Sequence, residues 1–316
     1  MTTIDNWREL VNLDSPTEER NPRSDRLDTL DATDLVSTIL AEDARVAAVV
    51  QGQAAKIGQL VDVCVTAIAS GSTVHYVGAG TSGRLGVLDA VELVPTYSAG
   101  PDMVTAHLAG GEAAMLHAVE GAEDDTEAGA ELVRDVCADG DVVIGLAASG
   151  RTPYVGGALR QAREQGLSTA LIAANARAPL AAAVGIAILL DVGPEVVTGS
   201  TRMKAATAQK MTLNALSTAT MVRLGKTYSN LMIDVRPTNE KLVARTVRML
   251  VQATGAPADD AAQALEAAGG SVRVALIALL AGADAARARQ AADRFPPDPT
   301  RRGDPAGIRT AVEALA

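Results

Sequence analysis

The sequence predicts an α/β fold: a three-layer sandwich in which helices cover both faces of a parallel sheet, followed by a small helical domain. Between residues 74 and 224, short apolar runs rich in β-branched residues alternate with helical patterns. This alternation is typical of a parallel sheet that is buried on both faces. Between residues 240 and 293 the apolar patterns all have helical spacing, which indicates a separate helical unit.

The elements can be placed in order along the chain. Apolar residues at helical spacing predict one long helix or two from residue 35 to about residue 69. Further helices are expected at residues 85–94, about 200–224, 242–251, 257–267, 270–280 and 283–292. The five strand candidates are residues 74–77, 103–108, 142–146, 170–172 and 186–190.

Composition along the chain divides it into four regions. Residues 1–34 are charged and lack apolar periodicity, which predicts an extended N-terminal arm. Residues 35–240 form the sheet domain, and residues 241–293 form the small helical domain. Residues 294–316 are rich in proline and charge, so a flexible C-terminal extension is expected.

Overall composition disfavours several classes of ligand. Aromatic residues make up only 2% of the chain, so stacking platforms for single-stranded nucleic acid are scarce, and a bound sugar has to be held by polar and charged groups. The net charge of −10 argues against a nucleic-acid partner. Cys64 and Cys137 lack CxxC spacing and predict reduced core thiols, not a metal site. With no signal peptide and no apolar stretch long enough for a membrane, a cytoplasmic protein is expected.

Two junctions between a strand and the next helix share a pattern of glycine and hydroxyl residues. The carboxyl ends of parallel strands converge on a ligand crevice, and a helix N-terminus offers N–H groups and a favourable dipole to an anion. Glycine and serine can serve there only as helix caps, but two matching loops on one sheet favour a phosphate site. The candidate binding residues are Gly80, Thr81, Ser82, Gly83, Ser149, Gly150, Arg151 and Thr152.

The first junction also matches the dinucleotide-binding motif literally, at Gly78, Gly80 and Gly83. No acidic residue ends the second strand candidate, because Asp102 precedes it. A dinucleotide is therefore disfavoured, and we expect neither a cofactor nor a metal.

Three further clusters attract attention. Acidic residues at 89–92 and 120–125 are, on composition alone, best interpreted as solvated faces. The block at 193–204 places hydroxyls and two cations at the start of the long helix, which predicts another N-terminus that faces an anion. Its candidate binding residues are Glu195, Ser200 and Lys204. His75 and His107 fall in strand candidates, where a packed core role is favoured.

Eight blocks together resemble the N-acetylmuramic acid 6-phosphate etherase family, in order over about residues 17 to 290. This family has the sugar isomerase (SIS) fold and is related to the glucokinase regulatory protein. The resemblance therefore implies that residues 35–240 form a SIS domain that binds a sugar phosphate. The blocks are residues 17–24, 78–84, 109–112, 117–124, 147–154, 193–204, 230–235 and 238–241.

The resemblance implies cleavage of the D-lactyl ether at C3 of N-acetylmuramate 6-phosphate during cell-wall recycling, giving N-acetylglucosamine 6-phosphate and D-lactate. Matching positions assign the catalytic acid to Glu92 and the base to Glu123. In the ring-opened sugar the C2 proton is α to the aldehyde and the ether is β to it. A base can therefore remove that proton while an acid protonates the departing oxygen, before water adds at C3. The family also implies a homodimer whose second subunit completes the site.

Two other functions stay open on the sequence alone. One is a sugar-phosphate sensor that binds a protein partner without turnover, although such regulatory relatives are larger and carry a second SIS domain. The other is an aldose–ketose isomerase on the same fold. An isomerase explains neither the block at 193–204 nor the block at 230–241.

Overall fold

A computed structural model describes residues 15–235 and 240–316. Residues 1–14 of the expected arm, and residues 238–239 of the last family-like block, lie outside the described residues. The helices are α1 Ala32–Asp43, α2 Val46–Gly52, α3 Ala54–Ala69, α4 Gly80–Tyr97, α5 Thr126–Val136, α6 Pro153–Glu164, α7 Lys204–Arg223, α8 Glu240–Thr254, α9 Ala258–Ala267, α10 Val272–Ala281, α11 Ala285–Arg294 and α12 Ile308–Glu313. Within these described ranges, no helix is both long and apolar enough to span a bilayer.

Five parallel strands form the main sheet, which confirms the predicted fold class. They are β1 Val74–Gly78, β2 Val104–Leu108, β3 Val142–Ala147, β4 Ser168–Ala173 and β5 Ile186–Leu189. Their order is β2-β1-β3-β4-β5, so the chain leaves β1 in one direction and returns on its other side with β3. Such a switch in strand order opens a crevice at the carboxyl ends of the two strands. A short antiparallel hairpin, β6 Thr227–Tyr228 and β7 Leu231–Met232, follows α7.

Side chains that alternate along the strands build a core on each face of the sheet. Tyr76 and Ile144 pack on the face covered by α3, α4 and α7. Val77 and Val143 point to the opposite face, where α5 and α6 cover them. Because both faces are buried, the central strands are continuous apolar runs, which is why the sequence shows them so clearly.

The region before β1 is divided more finely than expected. The apolar pattern predicted one helix or two, and the structure has three, with breaks after Asp43 and Gly52. Residues 15–30, predicted as an extended arm, fold into turns against the loop at 194–199. Asn21 donates to the carbonyl of Pro194 at 3.2 Å, and Ser24 donates to that of Val196 at 2.8 Å.

The C-terminal residues differ from the expected flexible extension. Ile308 and Ala311 are fully buried in the core of the helical domain, and Asp304 accepts hydrogen bonds from the backbone of Ile308 and Thr310 at the start of α12. Arg273 of α10 donates to the carbonyl of Ala306 at 3.1 Å. The prolines and most of the charged residues lie in the connecting turns, while a few small and apolar residues anchor the segment.

Candidate functional site

The N-terminus of α4 lies at the carboxyl end of β1 and is open to solvent. A Cβ atom on Gly78 would lie 2.8 Å from the Cα of Gly83, so only glycine lets the strand and the helix approach so closely. Gly80 has φ +51°, and nothing lies within 4 Å of the position its Cβ would take. The preceding residue, Ala79, has no side chain that can cap the helix, so the first N–H groups remain available.

The N-terminus of α6 has the same character at the end of the neighbouring strand β3. Thr152 occupies the N-cap position without a side-chain cap bond, and Gly150 has φ +67° with its Cα hydrogens against Ala178. By contrast, a Ser or Asp side chain caps each of α1, α5, α10 and α11. Since β1 and β3 are paired, two helix N-termini without a side-chain cap follow neighbouring strands at the switch point of the sheet. A phosphate can bind at such a place.

The other residues of these two loops have different surroundings. Ser82 is buried, and its hydroxyl donates to the Gln209 side-chain oxygen at 2.8 Å. The Nε atom of Arg151 is buried and has no partner among the described residues, so it retains a hydrogen bond to give. Gln209 cannot be recognised from the sequence, because a partner 127 positions away along the chain leaves no local pattern.

A cavity of about 210 Å³ lies beside the N-terminus of α4. Gly80 and Glu123, both candidates from the sequence, line it together with Arg84 and Glu120. Glu123 belongs to the 3₁₀ turn Ala122–Asp124 and is exposed. Arg84 lies in the second turn of α4 and lines the cavity. Its Nε atom donates to the carbonyl of Ala114, another lining residue, at 2.9 Å. Thus one of the two predicted catalytic carboxyls lies next to the predicted phosphate loop.

Glu92 lies elsewhere, on the outer face of α4. It is exposed and does not line this cavity, because it lies two helical turns, or about 12 Å along the axis, beyond Arg84. Its neighbours on the helix are apolar and also exposed: Leu88 by 48%, Val91 by 61% and Val94 by 51%. A single chain therefore does not bring Glu92 into the cavity that Glu123 lines.

The third predicted block has an internal structure of its own. The carboxylate of Glu195 accepts hydrogen bonds from the backbone of Lys204 and Ala205 at 3.0 and 2.9 Å and so caps α7. Burial raises the pKa of Glu195, although these N–H groups favour its charged form. The Lys204 ammonium is buried and pairs with Glu42 at 2.7 Å. Neither Glu195, Lys204 nor the half-buried Ser200 lines the cavity beside α4.

A buried polar cluster occupies the opposite, amino-terminal edge of the sheet. His75 contacts His107 and Asp141, each at 3.0 Å. Burial and the neighbouring His75 lower the pKa of His107 to about 4. His75, Cys137 and Asp141 are near enough to share a metal ion, but burial raises the pKa of Cys137 to about 12. Asp141 already accepts the N–H groups of Thr73 and Ala138, so the cluster serves as a satisfied core network, as predicted for His75 and His107.

Two family models agree with this architecture. Residues 56–163 match the model of the glucokinase regulatory protein N-terminal SIS domain, and residues 117–219 match the SIS domain model. The N-acetylmuramic acid 6-phosphate etherase of Cutibacterium acnes is 50% identical over 89% of this chain and 92% of its own length. That of Symbiobacterium thermophilum is 52% identical over 84% of this chain and 89% of its own. Among solved structures, a phosphoheptose isomerase from Francisella tularensis matches with a TM-score of 0.48 and 13% identity, over 60% of this chain and 98% of the other.

Proposed function

Since the chain belongs to the N-acetylmuramic acid 6-phosphate etherase family, we propose that it cleaves the D-lactyl ether of N-acetylmuramate 6-phosphate, giving N-acetylglucosamine 6-phosphate and D-lactate in cell-wall recycling. The observation that carries the proposal is the place of Glu123, in a cavity beside the uncapped N-terminus of α4. Identity of about half the residues over most of the chain favours this enzyme over a regulatory protein or an isomerase.

The 6-phosphate would bind at the paired N-termini of α4 and α6. Backbone N–H groups at Gly80 to Ser82 and at Arg151 and Thr152 are the donors there, and the helix dipoles favour the dianion. Gly83 and Gly150 would instead shape the two loops, because their own N–H groups donate to the carbonyls of Ala79 and Ala147. The unpartnered Nε atom of Arg151 supports a role for that side chain. The hydroxyls of Thr81, Ser149 and Thr152, all half-buried, would supply further bonds to the phosphate or to sugar hydroxyls.

The two carboxyls would divide the proton transfers of an elimination and an addition. Glu123 removes the C2 proton, the electron pair forms the C2–C3 double bond, and the C3–O bond breaks as Glu92 gives its proton to the lactyl oxygen. Water then adds to C3, C2 regains a proton, and N-acetylglucosamine 6-phosphate results. This reaction needs one protonated and one ionised carboxyl near neutral pH.

We further propose that two copies of the chain assemble each active site. The exposed apolar face formed by Leu88, Val91 and Val94 surrounds Glu92 on α4, and a second copy packed there would remove that face from water. The partner's copy of Glu92 would then reach the cavity that Glu123 lines and that Glu92 of the same chain does not.

A cytoplasmic location suits a phosphorylated substrate and a chain whose two cysteines are free.

Direct assay of D-lactate release tests the proposal. The wild type should release D-lactate from N-acetylmuramate 6-phosphate, and Glu92→Gln or Glu123→Gln should each lower kcat by about 10² to 10⁴. In H₂¹⁸O the product should carry heavy oxygen at C3, and in D₂O it should carry deuterium at C2. Glu131→Gln, on the exposed side of α5, serves as the matched control. A folded wild type that releases no lactate would refute the proposed reaction, and full activity in either site variant would refute the assignment.

A further inference from the structure

Arg84 contributes the cationic side chain to the lining of the cavity beside α4. The other charged lining residues are Glu120 and Glu123, and the rest of the lining is uncharged. Lys204, which the sequence suggested as an anion ligand, is buried against Glu42. Arg202 is exposed at the start of α7 and does not line this cavity. A negatively charged ligand in the cavity therefore meets Arg84 as its counter-charge.

The guanidinium of Arg84 retains unused donors. Its Nε atom donates to the carbonyl of Ala114, and within the described residues neither terminal amino group has a hydrogen-bond acceptor or an ion-pair partner. A guanidinium has five N–H donors in a planar fork, so one anchored bond leaves four. The anchoring bond fixes the plane of the fork at the cavity wall, and a fixed fork suits a planar carboxylate.

The substrate of the proposed reaction carries two separate negative groups. Backbone N–H groups at α4 and α6 account for its phosphate. The second group is the carboxylate of the lactyl ether. One carbon atom separates this carboxylate from the ether oxygen whose bond to C3 breaks. Placed beside Glu120 and Glu123 without a cation, this carboxylate would be repelled and poorly solvated.

We infer that Arg84 binds the lactyl carboxylate of the substrate through its terminal amino groups. This inference rests on the proposed function and adds a residue that selects the substrate. Arg84 makes the site prefer a sugar phosphate with an acidic ether substituent over the same sugar phosphate without one. Arg84 also makes the product N-acetylglucosamine 6-phosphate bind more weakly than the substrate, because this product lacks the carboxylate that Arg84 holds.

The test compares two substrates in two proteins. The substrates are N-acetylmuramate 6-phosphate and its lactyl amide, which has the same shape without the charge. For the wild type, kcat/KM should favour the acid over the amide by roughly 10- to 100-fold, the range for a charge-assisted pair. In Arg84→Gln this preference should collapse, whereas binding of N-acetylglucosamine 6-phosphate, measured calorimetrically, should stay within about twofold of the wild type. Arg84→Lys should give an intermediate preference, since it keeps the charge and loses the fork.

Each alternative outcome is distinct. An unchanged preference for the acid in Arg84→Gln overturns the inference. Equal weakening of N-acetylglucosamine 6-phosphate also overturns it, because Arg84 then acts by holding the segment at Ala114. A wild type without lactate release refutes the proposed reaction itself. If Arg84→Gln does not fold, the preference for the acid over the amide is measured in Arg84→Lys instead. Arg134→Lys, on the outer side of α5, is then the control for replacing an arginine with lysine.

Discussion

At the scale of single residues, Glu42 joins three parts of the chain. Its carboxylate accepts hydrogen bonds from Asn21 in the N-terminal turns, from Arg23 and from the buried ammonium of Lys204 at the start of α7. The bond from Arg23, helped by Lys204 and Asn21, holds the pKa of Glu42 far below its usual range. Lys204 is 1% exposed, so without Glu42 its charge would be buried and uncompensated.

Glu42→Gln should lower the free energy of unfolding at pH 7 by about 3 kcal/mol, because it leaves the buried Lys204 unpaired. The pKa of Glu42 is lower in the folded than in the unfolded protein. Its ionic contribution is therefore complete above the ordinary glutamate pKa of about 4.3 and declines as the pH falls below that value. Urea unfolding at pH 7 and pH 4 measures both effects. Arg45→Gln is the control, since exposed Arg45 approaches Glu42 only to 3.9 Å. A loss in the control as large as in Glu42→Gln would contradict this account.

At the scale of elements, α5 and α6 touch through glycine. A Cβ atom on Gly157 would lie 1.9 Å from the carbonyl oxygen of Thr126, and one on Gly129 would lie 2.0 Å from that of Tyr154. The two helix backbones are therefore in contact over the face of the sheet that they cover. This contact fixes the height of α6 above β3, and with it the position of the helix N-terminus in the candidate site.

Gly157→Ala should lower the free energy of unfolding by about 1 to 3 kcal/mol, because the added methyl group forces the two backbones apart. Gly156→Ala, on the same helix, is the matched control. Its methyl group would meet only the end of the Leu180 side chain, at 3.2 Å. Chemical unfolding of both variants decides the matter, and equal midpoints for the two would show that the close contact has no cost.

Local patterns explain which elements could be predicted. The strands can be predicted because both faces of β1 and β3 are buried, and the two glycine loops can be predicted because they interrupt apolar runs. The pairing of Lys204 with Glu42 cannot be predicted, since it depends on residues 162 positions apart. The prolines and charges of residues 294–316 predict a flexible extension, but Ile308 and Ala311 anchor this segment in the core of the helical domain. The placing of Glu92 away from Glu123 depends on the direction of α4, which no local pattern determines.

At the scale of the whole molecule, an acidic protein is proposed to bind an acidic ligand. The net charge of −10 repels a dianion at long range, so attraction has to come from short-range donors at α4, α6 and Arg84. The proposed pairing through α4 adds a second requirement, because the carboxyls of one site would come from two chains.

Mixing two inactive variants tests this sharing of sites. If Glu92 acts across the dimer, a heterodimer of Glu92→Gln and Glu123→Gln has one site with both carboxyls intact and one site with neither. Random exchange of subunits should then restore about a quarter of the wild-type activity. D-lactate release after joint refolding measures it, with each variant refolded alone as the control. No recovery, with exchange proved by a tagged subunit, would mean that both carboxyls come from one chain.

The carboxylate of Glu195 affects which helix N-termini a phosphate can bind. Gln209, in the second turn of α7, bonds Ser82 of α4, so the start of α7 lies near the same edge of the sheet as the two open helix ends. Glu195 already occupies that third helix end, and because the chain tethers it, its effective concentration there far exceeds that of any free anion. The protein thus supplies a permanent competitor at one of three neighbouring anion positions, which leaves the helix ends of α4 and α6 for the ligand.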